Sequence, residues 1–157
     1  MTQKRLLLSN ALFLTMLIPF KMFCMRVKAD YGRSPLHKAA WANDLQKATL
    51  ILNQENDPDK MDGDKNRPLH LAINRGSLRM ATLLLEYGAD KNAQNADGNT
   101  PLHSAASFNR SELARFLLQI GADYNKQNNL NQRPLDVAKK FKRTEVTKIL
   151  EQAQTDH

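Results

Sequence analysis

The residues in this chain best suited to chemistry are three histidines, His37, His70 and His103, at intervals of 33 residues. Imidazole is both a frequent zinc ligand and a frequent general base. Each histidine sits in the same setting: Ser34-Pro35-Leu36-His37, Arg67-Pro68-Leu69-His70 and Thr100-Pro101-Leu102-His103. A fourth copy, Arg133-Pro134-Leu135-Asp136, carries an aspartate instead. A shared zinc would need its ligands within about 2 Å of one ion. Equivalent positions in stacked helical units lie roughly 8–10 Å apart, the distance between packed helices. The three histidines therefore read as framework, and no metal is expected. His157 stands outside the series.

Other routes to catalysis fail in the same way. A catalytic site needs a nucleophile, a base and an orienting group in one cleft. Cys24 is the sole cysteine, which excludes an intramolecular disulfide. The residues before it, Lys21-Met22-Phe23, lack the small side chains of a lipoprotein site. No Gly-x-Ser-x-Gly, phosphate-cradling loop or His-Glu-x-x-His occurs. Asp62-Gly63-Asp64 begins like a calcium loop, but Asn66-Arg67-Pro68 breaks the required spacing of acids, so it reads as a turn. The basic cluster of Arg133, Lys139, Lys140, Lys142, Arg143 and Lys148 is interleaved with Asp136, Glu145 and Glu151, the mixed sign of a solvated surface. The expectation is a chain with no catalytic residue, no cofactor and no nucleic-acid partner.

What must position these residues is a repeat. Prolines at 35, 68, 101 and 134 mark a period of 33, and a fixed period of this length means stacked supersecondary units. The 157 residues suffice for one domain, and an aromatic content of 6% suits layers of Leu and Ala. Proline fits the first position of a helix, where its missing N–H would be unpaired anyway. Ser34 and Thr100 stand where an N-cap is needed. Leu one residue and Ala four residues after each proline share a helix face. Asn43, Gly76 and Asn109, eight residues after their prolines, are helix-ending residues. A second helix then carries Leu45, Ala48, Ile51 and Leu52; Leu78, Ala81, Leu84 and Leu85; or Leu113, Phe116, Leu117 and Ile120.

Asp97-Gly98-Asn99-Thr100-Pro101-Leu102-His103, followed by Ala105-Ala106, Leu117-Leu118 and Gly121-Ala122-Asp123, resembles an ankyrin repeat. The resemblance covers residues 30–157 as four units, about 30–62, 63–95, 96–128 and 129–157. It implies an all-α repeat solenoid in which each unit has a β-turn finger and two antiparallel helices. It also implies that the histidine ties finger to helix. Unit two departs from the pattern with Lys65 for the finger glycine and Arg67 for threonine, which predicts a less regular finger. Unit one departs at Glu55-Asn56-Asp57-Pro58, in place of Gly-Ala-Asp. Lys139, Lys142, Thr147 and Glu151 in unit four, and Lys47 in unit one, occupy places that are apolar or neutral in the inner units. Polar outer faces of this kind are what a stack requires.

Residues 1–29 differ in kind. The formal charge is +7, yet this segment holds five basic residues and no acid, and without those five the count is 18 basic against 16 acidic. Lys4-Arg5 precedes an apolar run from Leu6 to Phe20, and Val27-Lys28-Ala29 offers a small-residue site. The pattern fits a secretory signal peptide cleaved near Ala29. An uncleaved anchor, an organellar transit peptide and an apolar helix packed on the first repeat remain as alternatives. The chain is then exported, periplasmic or secreted, if cleaved, and membrane-tethered if not.

The family resemblance implies a non-catalytic protein-interaction module, binding through finger tips and the concave side of the first helices as a monomer. Two variants of this function are a membrane-anchored scaffold for a multiprotein assembly and a secreted effector acting on another cell's proteins. Carried onto this sequence, the finger positions are Tyr31, Arg33, Asp64, Asn66, Asp97, Asn99, Leu130 and Gln132. The first-helix positions are Trp41, Asn74, Arg75, Ser107, Phe108, Lys140 and Phe141, and those near second-helix ends are Tyr87 and Ile120. Aromatic and Arg residues are the usual interface anchors, which centres the strip on Trp41, Arg75 and Phe108.

Overall fold

A computed structural model describes residues 32–54 and 56–155. The expected N-terminal apolar helix, the boundary near Ala29 and Tyr31 lie outside the described residues. Among the described residues eight helices follow one another: α1 (Pro35–Ala42), α2 (Leu45–Leu52), α3 (Pro68–Arg75), α4 (Leu78–Glu86), α5 (Pro101–Ser107), α6 (Ser111–Gln119), α7 (Pro134–Lys140) and α8 (Thr144–Thr155). No strand occurs among those residues. The all-α repeat architecture is thus the one expected. Consecutive helices pair within each unit, and the first helices stack in the order α1, α3, α5, α7.

The four prolines of the repeat each lie in the first turn of their helix. The leucine behind it is buried in all four units, as Leu36, Leu69, Leu102 and Leu135. Ala39, Ala72, Ala105 and Ala138 are buried beside them, small enough to let helices approach. Each fully buried leucine contributes about 1.5–3 kcal/mol, so the stack is held by a column of equal parts rather than by one centre. The short helices could not persist alone, since isolated helices under about 12 residues are marginal in water.

Helix ends follow the pattern and extend it. Asn43, Gly76 and Asn109 all take positive φ (57°, 80° and 55°), the left-handed conformation that stops a helix. Lys142 does the same in unit four, with φ 54°. The sequence had placed it only among surface charges.

One expected irregularity is corrected. The second finger is as regular as its neighbours. Lys65 adopts φ 56°, and its N–H donates to the Asp62 carbonyl at 2.9 Å, as Gly98 donates to Asn95 at 3.0 Å. The reason lies one finger further on. A Cβ at Gly98 would meet the Asn129 side-chain oxygen at 2.5 Å and the Asn129 nitrogen at 2.8 Å. The residue one period before Asn129 is Ala96, which carries no side-chain oxygen of the kind that a Cβ at Gly98 would meet. In the loop after α2, Asp57 accepts the Asp59 N–H at 2.8 Å, as Asp90 accepts from Asn92 at 2.8 Å and Asp123 from Asn125 at 2.9 Å. The return loop of unit one keeps its register despite its different sequence.

The outer faces are polar. Lys139, Lys142 and Glu151 are exposed, and Lys139 pairs with Glu151 at 2.9 Å. Lys47 is exposed, whereas Met80, Leu113 and Val146, its counterparts, are buried.

Candidate protein-binding site

The fingers are closed by one side chain each. Asp62 Oδ1 accepts the N–H of Asp64 and Asn66 at 3.0 and 2.8 Å. Asn95 Oδ1 accepts from Asp97 and Asn99 at 3.1 and 3.0 Å. Asn128 Oδ1 accepts from Leu130 and Gln132, both at 3.0 Å. The spare amides reach back one finger: Asn95 Nδ2 donates to Asn66 Oδ1 at 3.0 Å, and Asn128 Nδ2 to Asn99 Oδ1 at 2.9 Å. Asp62 has no amide to give, and there Arg33 approaches its carboxylate at 3.9 Å. Backbone bonds complete the row, Ala96 N–H to the Asp64 carbonyl at 2.9 Å and Asn129 N–H to the Asp97 carbonyl at 3.0 Å.

The histidines join this row to the helices. In each, Nδ1 accepts the backbone N–H of Ser34, Arg67 or Thr100 at 3.2 Å. The opposite nitrogen then carries the proton and donates to the carbonyl of Asn66, Asn99 or Gln132 at 2.9, 3.0 and 2.8 Å. Both ring nitrogens are therefore committed, and the neutral Nε2–H tautomer is the one the geometry requires. Burial holds all three below the ordinary imidazole value, partly offset by the bond to the carbonyl; His70 falls to about 4. In unit four Asp136 accepts the Arg133 N–H at 2.9 Å, and that bond lowers its carboxyl below the usual range. Among the described residues no group of three or more His, Cys, Asp or Glu is placed to hold a metal ion.

Beside the framework lies the strip. A groove of ≈510 Å³ opens between the fingers and the first helices of units two to four. It gathers Asn66, Asn74, Asp97, Asn99, Ser107, Phe108, Leu130, Gln132, Lys140 and Phe141 from the expected set. Phe108, Leu130 and Phe141 expose half or more of their surface or close to it, at 50%, 69% and 46%. Lys140 lies 5.8 Å from the Phe141 ring. The groove walls also include Asn95, Asn128, Asn129, Ser104 and Val137, which the sequence reading left out. The recurrence of Asp62, Asn95 and Asn128 at the repeat period was the signal available for two of them.

Arg33, Trp41 and Arg75 come together at the other end of the concave face. The guanidinium carbons of Arg33 and Arg75 stand 5.4 and 5.0 Å from the Trp41 ring centroid. Asp64 is exposed at its finger tip. Two expected residues stand apart from both clusters. The Tyr87 hydroxyl donates to Asn53 Oδ1 at 2.5 Å, tying unit two to unit one. Ile120 lines a shallow depression between α4 and α6 with Thr82, Leu85 and Phe116. Much of the basic cluster in unit four is bonded within the fold: Arg133 to Asp136 at 3.4 Å, and Arg143 Nε to the Ser107 carbonyl at 3.1 Å.

A solenoid of paired helices with bonded turn fingers defines a helical repeat protein. A family model described as ankyrin repeats in three copies matches residues 36–128 and 94–156, and the chain belongs to the ankyrin-repeat family. No curated protein matches the chain. Ankyrin-repeat proteins are generally non-catalytic modules that bind other proteins. Among the described residues no helix is long and apolar enough to cross a membrane.

Proposed function

We propose that the repeat domain is a non-catalytic protein-interaction module whose binding surface is the concave face, from the Arg33–Trp41–Arg75 cluster to the groove at Phe108 and Phe141. The observation that carries this reading is the contrast in commitment. The buried polar side chains of the fingers are bonded within the framework, while Trp41, Phe108, Leu130 and Phe141 are exposed beside them. Large apolar side chains kept in water are the usual anchors of an interface. The test is an affinity pull-down with the full chain, repeated with Trp41→Ala, Arg75→Ala and Phe108→Ala. Recovered partners should be lost on these replacements while the thermal midpoint stays within about 2–4 °C. Stability loss in all three with binding unchanged would reject the surface.

The composition of residues 1–29 supports a location outside the cytosol or at a membrane. Mass spectrometry of the mature N-terminus discriminates the forms. A chain starting at Asp30 identifies an exported binder; an intact head in the membrane fraction identifies a tethered scaffold. Detection of the chain inside a neighbouring cell identifies an effector.

A further inference from the structure

The concave face has two chemically different ends. At one, two guanidinium groups flank the exposed Trp41 ring at 5.4 and 5.0 Å. Arg33 is drawn toward Asp62 at 3.9 Å, but Arg75 has no carboxylate partner among the described residues. Two cations at one ring repel each other, and an anion bound to either guanidinium relieves that repulsion while making charge-assisted hydrogen bonds. At the other end the exposed surface is Phe108, Leu130 and Phe141, with Lys140 5.8 Å from the Phe141 ring and Asp97 lining the same groove. Apolar side chains gain there, and Asp97 offsets the single Lys140 charge, so this end favours a carboxylate less than the paired arginines do. Between the ends stands Asn74, whose side-chain oxygen makes no hydrogen bond.

We infer that the concave face takes an extended peptide segment of a partner protein that is acidic at one end and bulky and apolar at the other. Its carboxylate pairs with Arg75 beside the Trp41 ring, and its apolar side chains pack on Phe108, Leu130 and Phe141. Two repeat steps of roughly 8–10 Å separate Trp41 from Phe108. At about 3.3 Å per residue, an extended chain covers that distance in about six residues. This inference rests on the concave face being the binding surface, as proposed above.

The test is selection of randomised peptides of about 12 residues, displayed on phage, against the full-length chain. Enriched peptides should carry Glu or Asp about six residues from a Leu, Phe or Trp. For a synthetic copy of an enriched peptide, Glu→Gln should weaken binding about tenfold. Selection on Arg75→Ala should lose the acidic preference and keep the apolar one, and selection on the Phe108→Ala, Phe141→Ala double variant should do the reverse. Arg75→Gln, which keeps the β- and γ-methylenes and a polar end without the charge, gives a second reading should Arg75→Ala melt early. Peptides that bind through Phe108 without any acidic preference would overturn this inference and leave the interaction surface standing. Failure to enrich any peptide, or enriched peptides indifferent to every one of these variants, would overturn both.

Discussion

His70 and Arg75 lie on the same helix, five residues apart, and belong to different economies. His70 is fully buried, with both ring nitrogens bonded, and it has counterparts in units one and three with the same bonds. Arg75 is exposed, and its counterpart in unit three is a phenylalanine. Positions that repeat along the chain are those whose side chain must satisfy a neighbouring unit. Those that vary face water, where the stack demands nothing of them. The finger row and the concave strip are adjacent in space and set apart by this single criterion.

The comparison is tested hardest in the column of leucines. Leu69→Ala should cost about 2–5 kcal/mol in chemical denaturation, because the buried methyls are lost and the stack cannot close around the gap. A loss under about 1 kcal/mol would mean that the units are not tightly coupled. Next comes the finger row. Gly98→Ala should cost about 2–3 kcal/mol, since φ 74° is unfavourable with a side chain and the new Cβ meets Asn129. Gly88→Ala, at φ 89° with open space around it, should cost only about 1 kcal/mol. Adding Asn129→Ala to Gly98→Ala should return part of the loss by removing the side-chain oxygen at 2.5 Å, and a double-mutant cycle measures that coupling.

Acid should act through the histidines. His70 has a folded value of about 4 against an ordinary 6.5, so the unfolded chain binds the proton first as pH falls. The stability held by neutral His70 is complete well above 6.5 and drains away toward 4, with about 2 kcal/mol gone at about pH 5. His37 and His103 act in the same direction. Urea midpoints measured between about pH 7.5 and pH 4.5 should fall steadily, and a flat profile would show that the rings are not held neutral. The smallest effect belongs to the strip. Trp41→Ala, Arg75→Ala and Phe108→Ala should each change stability by no more than about 0.5 kcal/mol, and that difference from Leu69→Ala is what divides strip from framework.

Much of the framework was legible in the sequence because it is local. A proline, a leucine next and an alanine four on are consequences of one helix turn and one neighbour, and repetition in all four units confirms each by the others. The second finger was misjudged because Lys65 was weighed alone. What a side chain meets at that finger position is set by the next finger, as Asn129 is at Gly98, distant in sequence and adjacent only when the fingers stack. Lys142 was missed because its backbone conformation carries no signature in a charged side chain. Within the site, residues were named one at a time from their place in the repeat. Tyr87 and Ile120 were named by the same logic and stand apart from the groove, one bonded to Asn53 and the other facing α4.

The period of 33 and its residue types determine, without coordinates, that this chain stacks helical pairs and that its histidines are structural. The physical reason is that burial and hydrogen bonding recur with every unit, so the pattern must recur too. Only the tertiary structure decides that Arg33 and Arg75 close on Trp41 while Phe108, Leu130 and Phe141 share the other end of the face. Those residues come from different units with no common motif, and stacking alone brings them together.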